Sequence, residues 1–173
     1  MEGIDCRPER DINKALVFQL STCGHIKARQ DVLTLGKRGV GKSHLAQALG
    51  NPACRGRIAT RHVALDELFG NLAVAAGGGT LSAVLGPCIR PSLLMLDDYL
   101  LARPSIQGSE RPLRLVEERM HIGSATYCSR LQPDGWRVRI DGGITADAVP
   151  GRVVNRSQLI ELEGEAMRKG VGP

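Results

Sequence analysis

The segment from residue 36 to residue 43 constrains the fold of this chain more than any other. Its sequence, Gly36-Lys37-Arg38-Gly39-Val40-Gly41-Lys42-Ser43, fits the pattern G-x-x-x-x-G-K-[ST]. Glycines allow backbone conformations that a Cβ atom would forbid, so successive N–H groups can turn toward one phosphate. A helix that begins near Lys42 then points its free N–H groups and its positive dipole end at the same anion. The segment therefore predicts a nucleoside triphosphate site between a strand and a helix.

The pattern gives the residues of this phosphate-binding loop, or P-loop, expected roles. Lys42 reaches the β- and γ-phosphates, and the Ser43 hydroxyl binds Mg²⁺. We expect ATP as the nucleotide and the backbone of the loop as its cradle. The predicted nucleotide-binding residues are Gly36, Lys37, Arg38, Gly39, Val40, Gly41, Lys42, Ser43 and His44. The alternative is a glycine-rich turn with an incidental lysine, but a strand pattern precedes the loop and a helical pattern follows it.

Short apolar runs alternate with helical patterns along the chain. Strands are predicted at residues 31–35, 58–63, 92–96, 124–129 and 159–162, and helices at residues 11–26, 42–49, 66–76 and 111–120. Strands that alternate with helices indicate an α/β fold, with a mostly parallel sheet and helices on both faces. Asp11 and Gly24 are expected to bound the first helix. Gly50 with Pro52 is expected to end the second, and Pro150-Gly151 to mark a turn.

Two carboxylates follow the third predicted strand. Four apolar residues, Leu93 to Leu96, lead directly into Asp97 and Asp98. A buried strand brings such acids to the carboxyl edge of a parallel sheet, where ligands bind in open α/β folds. Asp97 is therefore predicted to hold Mg²⁺ with Ser43, directly or through water. Asp98 is predicted to orient or deprotonate the water that attacks the γ-phosphate.

Composition restricts the class of protein without fixing it. The chain has 173 residues, a net charge of +5 and five scattered cysteines with no C-x-x-C pair. Of its 23 basic residues, 18 are arginine, which suits nucleotide, DNA or an acidic partner, although an arginine-rich proteome has the same signature. The cysteine pattern favours reduced thiols that fill core space. With neither a signal-peptide pattern nor a membrane-spanning run, we expect a cytoplasmic protein.

With these motifs in view, the chain resembles the IstB-like ATPases that help insertion-sequence transposases. This family is close to the DnaC-type helicase loaders within the AAA+ class. The most specific stretch is Gly41-Lys-Ser-His-Leu-Ala-Gln-Ala-Leu-Gly50. Other similar segments are residues 12–16, 20–26, 93–98, 117–119, 124–129 and 159–168, so the resemblance covers nearly the whole chain. It implies an AAA+ core at residues 31–169, after an N-terminal helical segment at 1–30 and before a short tail at 170–173.

The resemblance also implies further catalytic residues. Arg152 matches the position of an arginine finger, which would act on ATP bound to a neighbouring subunit, and Arg168 matches the sensor 2 arginine. Three places depart from the family pattern. Arg130 stands where sensor 1 normally has Asn, Gly151 replaces the Asp before the finger, and Lys37-Arg38 replaces the usual Pro-x of the loop. The first two departures weaken the prediction of hydrolysis more than that of binding.

The resemblance implies an ATPase that forms a homo-oligomer on double-stranded DNA and assists the transposase of the same element. Contact with the DNA would be non-specific and directed mainly at phosphates. Three alternatives stay open: a DnaC-like helicase loader, an ATP-binding interaction module that hydrolyses little, and a small-molecule kinase with residues 103–114 as its lid. Residues 12–26 favour the transposition helper over the helicase loader.

Overall fold

A computed structural model describes residues 12–103, 111–140 and 144–166. Five strands and eight helices occur in these ranges, in the chain order α1, α2, β1, α3, β2, α4, α5, β3, α6, β4, α7, α8, β5. The strands are β1 (Asp31–Gly36), β2 (Thr60–Ala64), β3 (Leu93–Asp97), β4 (Ser124–Ser129) and β5 (Ser157–Leu162). The helices are α1 (Lys14–Ser21), α2 (Gly24–Lys27), α3 (Lys42–Arg55), α4 (Leu65–Gly77), α5 (Leu81–Ile89), α6 (Arg111–Met120), α7 (Pro133–Arg139) and α8 (Ile144–Arg156).

The strands form one sheet in the order β2-β3-β4-β1-β5. Every described pair of neighbouring strands is parallel. Leu35 near the end of β1 is aligned with Ser129 at the end of β4, so these two carboxyl ends finish level with each other. The predicted α/β fold with a parallel sheet is confirmed.

Side chains that alternate along the strands build a core on each face of the sheet. Leu94 and Leu96 of β3 belong to the core that α4 to α8 cover, together with Trp136 of α7. Leu93 and Met95 of the same strand point to the opposite face, where α2 and α3 pack. Strands buried on both faces are apolar without interruption, which is why these segments are recognisable as strands. The predicted helices on both faces are confirmed.

The N-terminal helical region differs in detail from the prediction. The predicted single helix at residues 11–26 is two helices, because the chain turns at Cys23, whose φ is 61°. Asn13 caps α1 by accepting a hydrogen bond from the Leu16 N–H at 3.0 Å, whereas the predicted cap, Asp11, lies outside the described residues. Gly24 was predicted to end a helix and instead begins α2. The division into a separate segment at 1–30 stays a prediction.

One predicted helix end and one predicted turn are wrong, because the chain continues in a helix through glycine and proline. Helix α3 extends through Gly50 and Pro52 to Arg55. A Cβ at Gly50 would lie 2.8 Å from the Met95 Sδ, so glycine serves here for the close approach of α3 to β3. Pro150-Gly151 was predicted as a turn and lies inside α8.

Three of the five cysteines, Cys23, Cys88 and Cys128, are buried, as the core-filling prediction required. Burial raises the pKa of the Cys128 thiol to about 12. Cys54 is exposed, and Cys6 lies outside the described residues. None of the helices in the described ranges combines the length and the apolarity that a membrane crossing requires.

Two arginines, Arg119 and Arg156, hold the amino edge of the sheet, opposite the P-loop. Arg119 of α6 is 2% exposed and donates to five backbone carbonyls. These belong to Cys88, Ile89, Pro91, Ser92 and Ser124. One guanidinium thus satisfies the end of α5, the entry to β3 and the first residue of β4.

Arg156, the last residue of α8, fixes the neighbouring part of this edge. It donates to the carbonyls of Arg29 and Met120 at 2.7 and 3.1 Å, and its Nε lies 3.4 Å from Asp31 Oδ2. The other Asp31 oxygen accepts the Ala125 N–H at 2.7 Å, which ties β1 to β4. Burial raises the pKa of the Asp31 carboxyl, while this N–H and Arg156 act in the opposite direction.

Replacement of Arg119 by alanine leaves several buried carbonyls without their donor. We expect the free energy of unfolding to fall by roughly 3 kcal/mol or more. Arg114→Ala is the matched control, because Arg114 lies on the same helix with an exposed side chain paired to Glu118; its loss should stay below about 1 kcal/mol. Urea unfolding followed by circular dichroism measures both, and equal losses would show that the buried network is not stabilising.

Candidate functional site: a phosphate-binding cleft

A cleft of about 720 Å³ opens at the carboxyl edge of the sheet. This volume lies within the range of ~300–1,000 Å³ that is typical of small-molecule sites. The lining residues are Arg38, Gly39, Gly41, Lys42, Ser43, His44, Asp97, Asp98, Arg130 and Ala166. Eight of the predicted site residues therefore come together in one place, with Arg130 and Ala166 in addition.

The P-loop connects β1 to α3 in the conformation that its glycines permit. Gly36, Gly39 and Gly41 have φ values of 154°, 81° and 103°, a region that side chains disfavour. Gly41 is the N-cap of α3 and no side chain caps this helix, so the N–H groups of its first turn are available to an anion. Loop and helix together form a backbone site for phosphate.

Lys42 is held by the loop itself. Its Nζ donates to the carbonyls of Gly36 and Lys37 at 2.7 and 2.8 Å, and the residue is 6% exposed. An ammonium has three donors, so one more can reach a phosphate oxygen. Burial lowers the pKa of Lys42, with a further contribution from the Arg130 charge, while the carboxylates of the cleft act in the opposite direction.

Asp97 ends β3 and faces the P-loop across the cleft. Its Oδ1 accepts the Asp98 N–H at 3.0 Å, and its Oδ2 lies 3.8 Å from His62 Nε2 of β2. A carboxylate oxygen and the Ser43 hydroxyl are the hard oxygen donors that Mg²⁺ requires. Both line this cleft, so the chemistry of the residues fits the ion.

The segment that follows the acids is fastened to the end of β4. The Tyr99 N–H donates to the Cys128 carbonyl at 2.8 Å, and Ser129 Oγ donates to the Tyr99 carbonyl at 2.9 Å. The Tyr99 ring packs edge-on against Tyr127 and Trp136, with centroids 4.8 and 5.0 Å away. These contacts fix the backbone of Asp98, whose φ is 48°.

Arg130 follows β4 and pairs with Asp98. Its Nη2 lies 3.0 Å from Asp98 Oδ1, and the two side chains are 29% and 39% exposed. The sequence marked Arg130 only as a departure from the sensor 1 pattern. Arg130 contacts Asp98 because β4 and β3 are neighbours in the sheet. This strand order cannot be deduced from the spacing of motifs along the chain.

The other predicted site residues lie elsewhere. Gly36 and Lys37 line an adjoining cavity of about 330 Å³. The Val40 side chain is 1% exposed and packs in the core, so it does not reach the cleft. Arg152 Nη2 of α8 lies 2.9 Å from Glu117 Oε1 of α6. Arg152 is not among the described residues that line the cleft of its own chain. Arg168 lies outside the described residues.

The strand order, the P-loop after β1 and the acids after β3 define a P-loop ATP-binding protein of the AAA+ class. The family model described as IstB-like ATP binding protein matches residues 1–171. The chain therefore belongs to the IstB-like ATP-binding protein family. This confirms the family resemblance expected from the motifs.

Sequence relatives agree with the family. An insertion sequence ATP-binding protein of Sinorhizobium fredii is 34% identical over 168 residues, which are 97% of this chain and 69% of the relative. A second one from the same organism is 30% identical, with 97% and 68% of the two chains covered. An insertion sequence ATP-binding protein of Pseudomonas fluorescens is 29% identical over 76% of this chain and 57% of its own.

Solved structures show the same fold at low sequence identity. The crystal structure of DnaI superposes with a TM-score of 0.74 at 21% identity, covering 89% of this chain and 81% of DnaI. The DnaC helicase loader gives 0.65 at 19% identity, with 86% and 87% covered. DnaA from Aquifex aeolicus bound to AMPPCP gives 0.70 at 19% identity, and the match spans 44% of the DnaA chain.

Gly36→Ala tests the geometry of the loop. A Cβ at this position would lie 2.5 Å from the Leu162 carbonyl oxygen, and the backbone has a positive φ. The resulting strain of about 1–3 kcal/mol should lower ATP affinity about fivefold or more in a fluorescent-nucleotide titration. Gly70→Ala in α4 meets no atom within 4 Å and should leave affinity unchanged. Unaltered binding by Gly36→Ala would contradict this account of the loop.

Proposed function

We propose that this chain binds ATP with Mg²⁺ in the cleft and hydrolyses it. The observation that carries the proposal is the convergence of Lys42, Ser43, Asp97 and Asp98 on one cleft at the N-terminus of α3. Ser43 and Asp97 would hold Mg²⁺, which neutralises phosphate charge when bound. Lys42 and the free N–H groups of α3 bind the phosphates, and Asp98 orients or deprotonates the attacking water.

The biological role we propose is assistance to the transposase of an insertion sequence, with assembly of several copies on double-stranded DNA. The names of the sequence relatives support this role, since they are insertion sequence ATP-binding proteins. The net charge of +5 favours contact with DNA phosphates. Three exposed arginines, Arg55, Arg57 and Arg61, lie between the end of α3 and the start of β2 and offer such a surface.

Two alternatives have less support. Helicase loading rests on the likeness to DnaI and DnaC, which at these identities concerns the fold and does not distinguish between the two roles. A small-molecule kinase requires a lid and an acceptor pocket. Most of the segment considered as a lid, residues 103–114, lies outside the described residues.

Two substitutions separate binding from hydrolysis. Lys42→Ala should abolish ATP binding, because it removes the buried ammonium of the loop. Asp98→Asn should retain binding and lower turnover about 100-fold or more, as expected for loss of a general base. Calorimetric titration and phosphate release, each with and without duplex DNA, measure these effects.

The control for Asp98→Asn is Asp134→Asn, an equally conservative change at an acid whose side chain is 94% exposed on α7. Its binding and turnover should match those of the unmodified protein. Turnover by the unmodified chain no faster than by Lys42→Ala would refute hydrolysis and leave a nucleotide-binding module.

The proposed arginine finger is tested by mixing two inactive variants. Arg152→Ala should bind ATP without hydrolysing it, and Lys42→Ala should supply Arg152 without binding ATP. If Arg152 acts between subunits, a mixture should regain turnover, because some interfaces then join an intact P-loop to an intact Arg152. Replacing the Lys42→Ala partner by a Lys42→Ala/Arg152→Ala double variant is the control. No recovery above this control would exclude a role across the interface.

A further inference from the structure

Arg130 lies at the carboxyl edge of the sheet, between the two halves of the cleft. It follows β4, and β4 lies between β1, which leads into the P-loop, and β3, which leads into the acids. It lines the cleft together with Lys42 and Asp98. Its side chain therefore lines the same cleft as the residues of the P-loop.

The ion pair between Arg130 and Asp98 is held in place by its backbones, but Arg130 can leave the carboxylate for another anion. The backbones beside it are fixed, since Tyr99 and Ser129 are joined by a hydrogen bond of 2.9 Å. The two side chains themselves are partly exposed, at 29% and 39%. Ion pairs of this exposure contribute little net stability, because water competes for both groups. A phosphate group, two oxygens of which can accept a forked contact from the guanidinium, can therefore replace the carboxylate.

The charges of the cleft favour this exchange. Arg38, Lys42 and Arg130 line it as cations, and Asp97 and Asp98 line it as anions. Burial is the main cause that lowers the pKa of Lys42, and the positive charge of Arg130 adds to it, as expected for two cations that line one cleft. A terminal phosphate between them would relieve this repulsion, whereas a diphosphate that ends one phosphate earlier would relieve less of it.

We propose that Arg130 is a triphosphate-dependent latch on Asp98. Without a terminal phosphate, Arg130 holds the Asp98 carboxylate. When a nucleoside triphosphate binds, the guanidinium moves to its terminal phosphate and leaves Asp98 free to act on water. This inference rests on the proposed ATP site, and it gives the residue that departs from the family pattern a positive role in coupling hydrolysis to the bound nucleotide.

The test is a double-mutant cycle on nucleotide affinity. The four proteins are the unmodified chain, Arg130→Gln, Asp98→Asn and the double variant, titrated calorimetrically with Mg²⁺ and either ADP or the non-hydrolysable AMPPCP. Arg130→Gln should weaken AMPPCP about tenfold or more and ADP less than about threefold, because the lost contact is to the terminal phosphate. The AMPPCP affinity of Arg130→Lys should fall between those of the unmodified chain and Arg130→Gln, since lysine keeps the charge without the fork.

Asp98→Asn separates the latch from simple charge repulsion. In the latch, this variant removes the competitor for Arg130 and should strengthen AMPPCP binding several-fold, and the gain should largely disappear in the Arg130→Gln background. Repulsion between Asp98 and phosphate alone predicts the same gain in both backgrounds, which would overturn the latch. Arg137→Gln, a half-exposed arginine on α7 outside the cleft, is the control for loss of charge.

The outcomes distinguish this inference from the proposed function. If the unmodified chain binds neither nucleotide, the proposed function and the latch both fail. If it binds AMPPCP and Arg130→Gln weakens both nucleotides equally or neither, the latch alone fails. Thermal unfolding of each variant should give midpoints close to that of the unmodified chain, because the pair is partly exposed.

Discussion

Every strand of the sheet runs in the same direction, and the functional site depends on this constraint. Parallel strands bring their carboxyl ends to one edge, so the P-loop after β1, the acids after β3 and Arg130 after β4 meet there although about 90 residues of sequence separate the first from the last. The order β3-β4-β1 then decides the neighbours. Because β4 separates the acids from the P-loop, its carboxyl end is the natural place for a residue that contacts both.

At the opposite edge of the parallel sheet, where chain segments enter the strands, backbone carbonyls need hydrogen-bond donors from outside the sheet. Arg119 and Arg156 supply donors to seven backbone carbonyls there, and Asp31 accepts the Ala125 N–H. The arginine-rich composition therefore has at least two physical uses. Some guanidiniums act inside the protein as multiple donors to backbone oxygens, and others line the cleft or the surface, so charge counting alone overstates the share available to a ligand.

The sequence predicted the strands and the P-loop well, because both are signalled locally. Apolar runs marked all five strands, and glycine spacing marked the loop. No helix was predicted at α5, α7 or α8, and a turn was predicted at Pro150-Gly151 inside α8; each of these helices contains a proline, a residue of low helix propensity. Pro133 stands in the first turn of α7, where a missing N–H costs nothing, whereas Pro87 and Pro150 lie inside helices that packing against the sheet stabilises. Local propensity predicts neither the packing of these helices nor the pairing of Arg130 with Asp98.

Binding and hydrolysis differ in how many distant segments they require. The phosphate cradle comes from one continuous segment, whose lysine is held by the carbonyls of its own loop. The proposed hydrolysis also needs the Asp98 carboxylate after β3 to be free, and in this chain that carboxylate is paired with Arg130 after β4. A substitution near the end of β4 can therefore change turnover while the cradle stays intact. For that reason the presence of a P-loop predicts nucleotide binding, whereas hydrolysis depends on how the neighbouring strand ends share their charges.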